Sequence, residues 1–246
     1  MPVLPAAPDT FRLFQGHQLK PLSGVPVTFN RRNPDWFTVA LFLVVLGFTA
    51  IRAFYMRIFR QLISAFFNNN VTNQIVRDEN ILVQRAASLM SVLFYFVLAL
   101  FLYQVSVFYH WEIPVMGTGF TRFFFLLLAI ALAYSIKLLT LKSAGSLYGA
   151  DRPVATYIFN IFLINNMLGL LLLPVVILIA YVVPLSGALV VIRVGIGLAA
   201  SLFVYRLFRG FLVWRTLQGG TIFYFILYLC TLELAPLLII YKVAGG

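Results

Sequence analysis

Apolar residues in this chain neither alternate with polar ones nor recur every third or fourth position. They gather in long runs broken by short polar stretches, near 36–56, 86–108, 119–140, 154–183, 186–208 and 221–243. Crossing roughly 30 Å of hydrocarbon takes about 20 helical residues, and each run reaches that length. Only a helix or a closed barrel satisfies its own backbone in lipid, and runs this long are helical. The pattern predicts an all-α membrane protein, a bundle of about six transmembrane helices over residues 36–246, preceded by a polar N-terminal tail at 1–35. The fourth run exceeds one perpendicular crossing and contains Pro174, so a tilt or kink is predicted there.

The connection between the first two runs is the one long loop, and its pattern changes to helical periodicity. Phe59, Leu62, Ile63 and Phe66 fall at i, i+3, i+4 and i+7, with Arg57, Arg60, Gln61 and Ser64 around the other side. This predicts an amphipathic interfacial segment lying along the membrane surface, Phe59 and Phe66 in the apolar layer and Arg57 and Arg60 on anionic lipid headgroups. Asn68 to Asn70 break the segment. A second amphipathic piece from Val71 through Ile75, Glu79 and Leu82 leads to the next span.

Composition supports the same reading. Hydrophobic residues make up 62% of the 246 and charged ones 10%, against about a quarter charged in a soluble domain. The net charge of +11, from 18 Lys and Arg and seven acids, follows membrane topology, because the basic residues collect at the ends of the apolar runs. No basic recognition motif accompanies them, so nucleic acid is not an expected partner. Loops one, three and five hold Arg52, Arg57, Arg60, Arg77 and Arg85, then Lys137, Lys142 and Arg152, then Arg206, Arg209 and Arg215, and are predicted cytoplasmic; both termini then lie outside, against the charge of the tail.

Ionisable groups within the spans are the candidates for chemistry, since each costs about 2.5 kcal/mol or more at a helix centre. Glu233 sits near the middle of the sixth run and Arg193 within the fifth. Their depths below the outer face differ by roughly 5 Å at about 1.5 Å per residue, which predicts an ion pair inside the bundle. Asn165 and Asn166, with Tyr157 and Asn160, add amides to the fourth span, where each needs a partner or lines a polar cavity. Gly195 and Ala199 make a small-xxx-small pair for close helix approach, and Trp36, Trp111 and Trp214 read as an aromatic belt.

The catalytic inventory is short. His17 and His110 lie outside the spans, Cys230 is the single cysteine, and there is no Walker loop, dinucleotide glycine fingerprint, HExxH or cysteine–histidine cluster. No cofactor and no metal site is expected, and the balance leans away from an enzyme.

The stretch Tyr228 to Lys242, YLCTLELAPLLIIYK, with Asp35 and Trp36 before the first span and the Asn166 to Pro174 spacing, resembles a Bacteroidota family of polytopic membrane proteins of unknown function. The resemblance covers roughly 33–243 and implies a bacterial inner-membrane location. Two functions suit these residues. One is a non-catalytic membrane subunit or scaffold, with lipids and other membrane proteins or further copies of itself as partners. The other is a small transporter or proton-coupled channel using Glu233, Arg193, Asn165 and Asn166.

Overall fold

A computed structural model describes residues 34–77, 81–109, 118–147, 151–182 and 185–214, all within one compact unit, Arg32–Gly246. These residues are helical almost throughout, in the order α1 (Asp35–Phe54), α2 (Met56–Phe67), α3 (Asn69–Arg77), α4 (Ile81–Phe108), α5 (Phe120–Leu147), α6 (Asp151–Ile177) and α7 (Leu185–Trp214), with a π-helical turn, Leu178–Val182, closing α6. Among the described residues, five helices are long and apolar enough to cross a membrane: α1, α4, α5, α6 with its π turn, and α7. The sixth apolar run, 221–243, lies outside the described residues.

The observed helices overrun the apolar runs at several ends. Helix α4 starts at Ile81 and α5 continues to Leu147, since hydrogen bonding carries a helix past the lipid boundary where polar residues follow. Asp35 in the first turn of α1 and Arg52 in its last each match the pole of the helix dipole beside them.

More than half of the spanning portions of α4 and α6 is buried, against less than a fifth of α1, α5 and α7. Helices α4 and α6 therefore form the centre and run parallel: Ala87 meets Asn166, Phe94 meets Gly169, and Gln104 meets Val176. The intervening α5 returns the chain across the bundle, which is what lets two non-consecutive helices pair in the same direction. Helix α1 packs on α4, α5 on both central helices, and α7 on α6.

Close approach at the centre depends on Gly169. A β-carbon there would lie 3.1 Å from the Phe94 Cα, so the α4 backbone sits directly against α6. Gly195 does the same for α7, accepting the Phe101 ring and Val175 against its backbone. Small residues let helices meet where lipid supplies no hydrophobic drive.

Trp36 does not stand alone at one end of α1. Its ring lies 5.1 Å from Tyr103, 5.4 Å from Phe120 and 5.3 Å from Phe123, joining α1, α4 and α5. Nearby, the Tyr181 hydroxyl donates to Thr38 Oγ1 at 2.8 Å and ties the π turn to α1.

The long loop forms two short helices. Leu62 and Ala65 are buried while Arg57 and Arg60 are exposed, so α2 has one packed and one open side. Asn68 divides the pair by terminating α2, and its side-chain Oδ1 accepts the Asn70 N–H at 2.9 Å, an N-cap for α3. Both α2 and α3 pack against α6.

Candidate polar site between the core helices

Helix α6 carries three buried asparagines, and each has a different environment. Asn166 faces α4. Its Nδ2 donates to the Ala87 carbonyl at 3.1 Å, and the Ser91 hydroxyl lies within donating distance of both Asn166 Oδ1, at 3.0 Å, and the Ala87 carbonyl, at 2.9 Å. Asn165, one residue earlier, turns toward α5, where its Oδ1 accepts the Tyr134 hydroxyl at 3.4 Å. The two amides thus bond α6 to helices on two sides. Adjacent helical positions point about 100° apart, which is why they do not share a partner.

Asn160 is 1% exposed, and neither atom of its amide has a hydrogen-bond partner among the described residues. Buried amides without partners are uncommon in folded proteins. Its position, nearly two turns before Asn166, sets it apart from that network.

Where α6 passes into the π turn, Gln104 of α4 donates from Nε2 to the Val176 carbonyl at 3.1 Å. Pro174 removes an N–H from the ladder in this region, and the change from α to π winding alters which carbonyls keep intrahelical donors. Gln104 supplies a donor from outside the helix.

The structure does not bring Arg193 into this cluster. Arg193 lies on the exposed side of α7, in a stripe with Val190, Gly197, Ala200, Ser201, Val204 and Phe208, whereas Asn165 and Asn166 are enclosed by α4, α5 and α6. Glu233, the fourth expected member, lies outside the described residues.

Among the interfacial candidates, Arg57 and Arg60 are exposed, Phe59 is half-buried against the core, and Phe66 turns toward the bundle. The Phe66 ring lies 5.2 Å from Tyr205, and its carbonyl accepts the Tyr205 hydroxyl at 2.8 Å. Its neighbour Phe67 is the exposed ring.

A further polar centre sits at this end of the bundle. Arg209, 3% exposed near the end of α7, donates from Nη1 to the Phe66 carbonyl at 3.0 Å, and from Nη2 to the Ala65 carbonyl and to Thr72 Oγ1, both at 2.8 Å. The last carbonyls of a helix lack intrahelical donors and carry partial negative charge, so a cation is well placed there. Thr72 is fully buried and donates in turn to the Ala65 carbonyl at 3.1 Å, fastening α3 to the same point.

This arrangement of helices and polar joints covers most of a region that matches a known family, residues 37–244. The chain belongs to the family described as a domain of unknown function, DUF4271. No curated protein and no solved structure gives a match. Within this DUF4271 chain, Asn165 and Asn166 stand out in the sequence, whereas their partners Ser91 and Tyr134, and Gln104, do not. By position in the sequence Arg209 belongs to the charges of the fifth loop, whereas the structure places it in α7. The available signal for Ser91 is Ala87, one helical turn before it on the same face of the span.

Proposed function

We propose that this chain is a non-catalytic integral membrane subunit or scaffold, a six-span protein of the bacterial inner membrane that assembles with other membrane proteins through its open helix faces. One observation carries the reading: the intramembrane amides of Asn165 and Asn166 are engaged in bonds between helices, so the polar groups best placed for a pathway are occupied in holding the bundle together. The outer faces support it as well. Val39, Phe42, Leu43 and Leu46 on α1, and Phe124, Leu128, Leu132 and Ile136 on α5, are exposed apolar stripes that suit lipid or a neighbouring helix.

The loop-one helices belong to this reading as the surface-lying element, with Arg57 and Arg60 on the side away from α6 and toward lipid headgroups. Purification from membranes in mild detergent, followed by mass determination of the intact particle, tests the proposal. A second membrane protein, or further copies, should remain bound in fixed ratio. A solitary chain that moves protons in vesicles, with flux abolished in Glu233→Gln, overturns it.

The second reading, a small transporter or proton-coupled channel, rests on the amide of Asn160, without a partner among the described residues, together with the position of Arg193 inside the span Gly187–Gly210. The same vesicle measurement decides between the two.

A further inference from the structure

Arg193 poses a specific problem. It lies eight residues after Leu185, about 12 Å along α7, and is exposed within the first half of a spanning helix. A guanidinium facing lipid at that depth is costly, and such groups pair with an opposite charge. The chain has seven acids, Asp9, Asp35, Asp78, Glu79, Glu112, Asp151 and Glu233, and only Glu233 falls within an apolar run.

We infer that the outer face of α7 is the seat of the chain's own C-terminal apolar segment, 221–243, held there by a pair between Arg193 and Glu233. The contact is peripheral, on the side of α7 opposite α6, and not within the asparagine-bearing centre. This rests on reading the chain as membrane-spanning, and it holds whether the protein is a subunit or a transporter.

Three features of the molecule converge on it. The first is depth. Helix α7 runs away from the end marked by Leu185, and a sixth span over 221–243 would return toward that end, which would put Glu233, ten residues before Val243, about 15 Å from it and within about 3 Å of the depth of Arg193. The second is charge: on the exposed stripe one cation, Arg193, without a partner among the described residues, and in the segment one acid. The third is shape. The stripe next to Arg193 consists of Gly197, Ala200 and Ser201, and a β-carbon added at Gly197 would meet nothing within 4 Å. In antiparallel register with Arg193 beside Glu233, Cys230 falls opposite Ile196, Leu229 opposite Gly197 and Ile226 opposite Ala200, so at the last two positions a large side chain meets a small one.

The single native cysteine makes the register measurable. Cys230 stands one turn from Glu233, so a cysteine introduced by Gly197→Cys, or by Ile196→Cys as a second variant, should form a disulfide with it under copper-phenanthroline and air in native membrane vesicles. Two thiols lose their hydrogens and electrons to oxygen through the copper, and the Cα atoms must come within about 7 Å. Arg206, Arg209 and Arg215 lie between the two cysteines, so trypsin should leave two fragments joined until reductant is added. Val204→Cys, two turns away, and Phe42→Cys on α1 should stay unlinked. A disulfide at twice the chain mass would show that a second copy occupies the face, and linkage at Phe42→Cys, or none at 196 and 197, would place the segment elsewhere; each of these overturns the inference. Charge reversal gives an independent readout: Arg193→Glu or Glu233→Arg alone should lower the amount of folded protein several-fold, and the double reversal should restore most of it. A double variant no better than either single one also overturns the pairing.

Discussion

The Arg209 guanidinium donates to the Ala65 carbonyl at 2.8 Å, so a side chain near the end of one spanning helix closes the open end of a short helix 144 positions earlier in the chain. The same group reaches Phe66 and Thr72. Long-range capping of this kind makes the position of α2 and α3 depend on α7, and not only on their own amphipathic pattern.

Arg209→Lys is therefore expected to behave nearly as badly as Arg209→Ala. A lysine ammonium is a point donor and cannot span two carbonyls and a hydroxyl as a planar fork does. Hydrogen bonds from a charged donor contribute about 1.5–3 kcal/mol each, of which Tyr205 and Thr72 retain a part, so a loss of roughly 3 kcal/mol is expected. Thermal unfolding in detergent measures it, and trypsin cleavage at Arg57, Arg60 and Arg77 should accelerate in both variants. An unchanged midpoint and an unchanged cleavage rate would remove the clamp from the account.

Two glycines separate backbone approach from side-chain crowding. Gly169→Ala sets a β-carbon 3.1 Å from the Phe94 Cα, where only a shift of a whole helix relieves it, and is expected to destabilise by about 1–3 kcal/mol. Gly47→Ala meets the Leu93 Cδ2 at 2.8 Å, the mobile end of a side chain that can rotate away. Its effect should be under about 1 kcal/mol, since alanine also favours the helix. Unfolding in detergent by both variants checks the order, and a larger loss at Gly47 contradicts the packing described.

Replacing two asparagines of one helix by leucine should have opposite consequences. Asn166→Leu breaks the bonds to Ser91 and Ala87 and is expected to cost about 0.6–2 kcal/mol. Asn160→Leu removes an amide without a partner among the described residues and should be neutral or stabilising. If Asn160→Leu keeps stability and abolishes a transport activity in vesicles, the transporter reading gains over the scaffold.

Arg57→Gln together with Arg60→Gln should weaken retention of anionic phospholipid on the purified protein. Each basic residue near an anionic surface contributes about 1 kcal/mol, so the pair predicts roughly a tenfold or greater loss. Native mass spectrometry of protein with bound phosphatidylglycerol reads it directly. Neutral lipid retention should not change, and equal loss of both classes would mean that the fold, not the charge, had been altered.

Much of the architecture was legible along the chain because hydrocarbon thickness imposes a length on every span. The five described spans coincide with predicted runs for that reason, and Pro174 does lie beside irregular winding. The candidate site was legible only in part. Asn165 and Asn166 stand out because amides are rare in such helices, whereas Ser91, Tyr134 and Arg209 are unremarkable residue types until a neighbour is known. Phe66 fits a surface-lying stripe by spacing and still turns to Tyr205, because periodicity defines a face without saying what covers it.

By itself, then, the amino-acid order determined that this chain forms membrane helices, roughly where they begin and end, and which of their residues are too polar to be left in lipid. These are one-dimensional properties, set by transfer from water and by the hydrogen bonds a helix makes within itself. Tertiary structure alone decided that α4 and α6 run side by side at Gly169, that two adjacent asparagines serve different neighbours, and that Arg209 closes α2 while Arg193 points away from the α4–α6 centre. In lipid one apolar face is nearly as well solvated as another, so the choice of neighbour falls to backbone clearance and a few directional bonds between residues far apart in the chain.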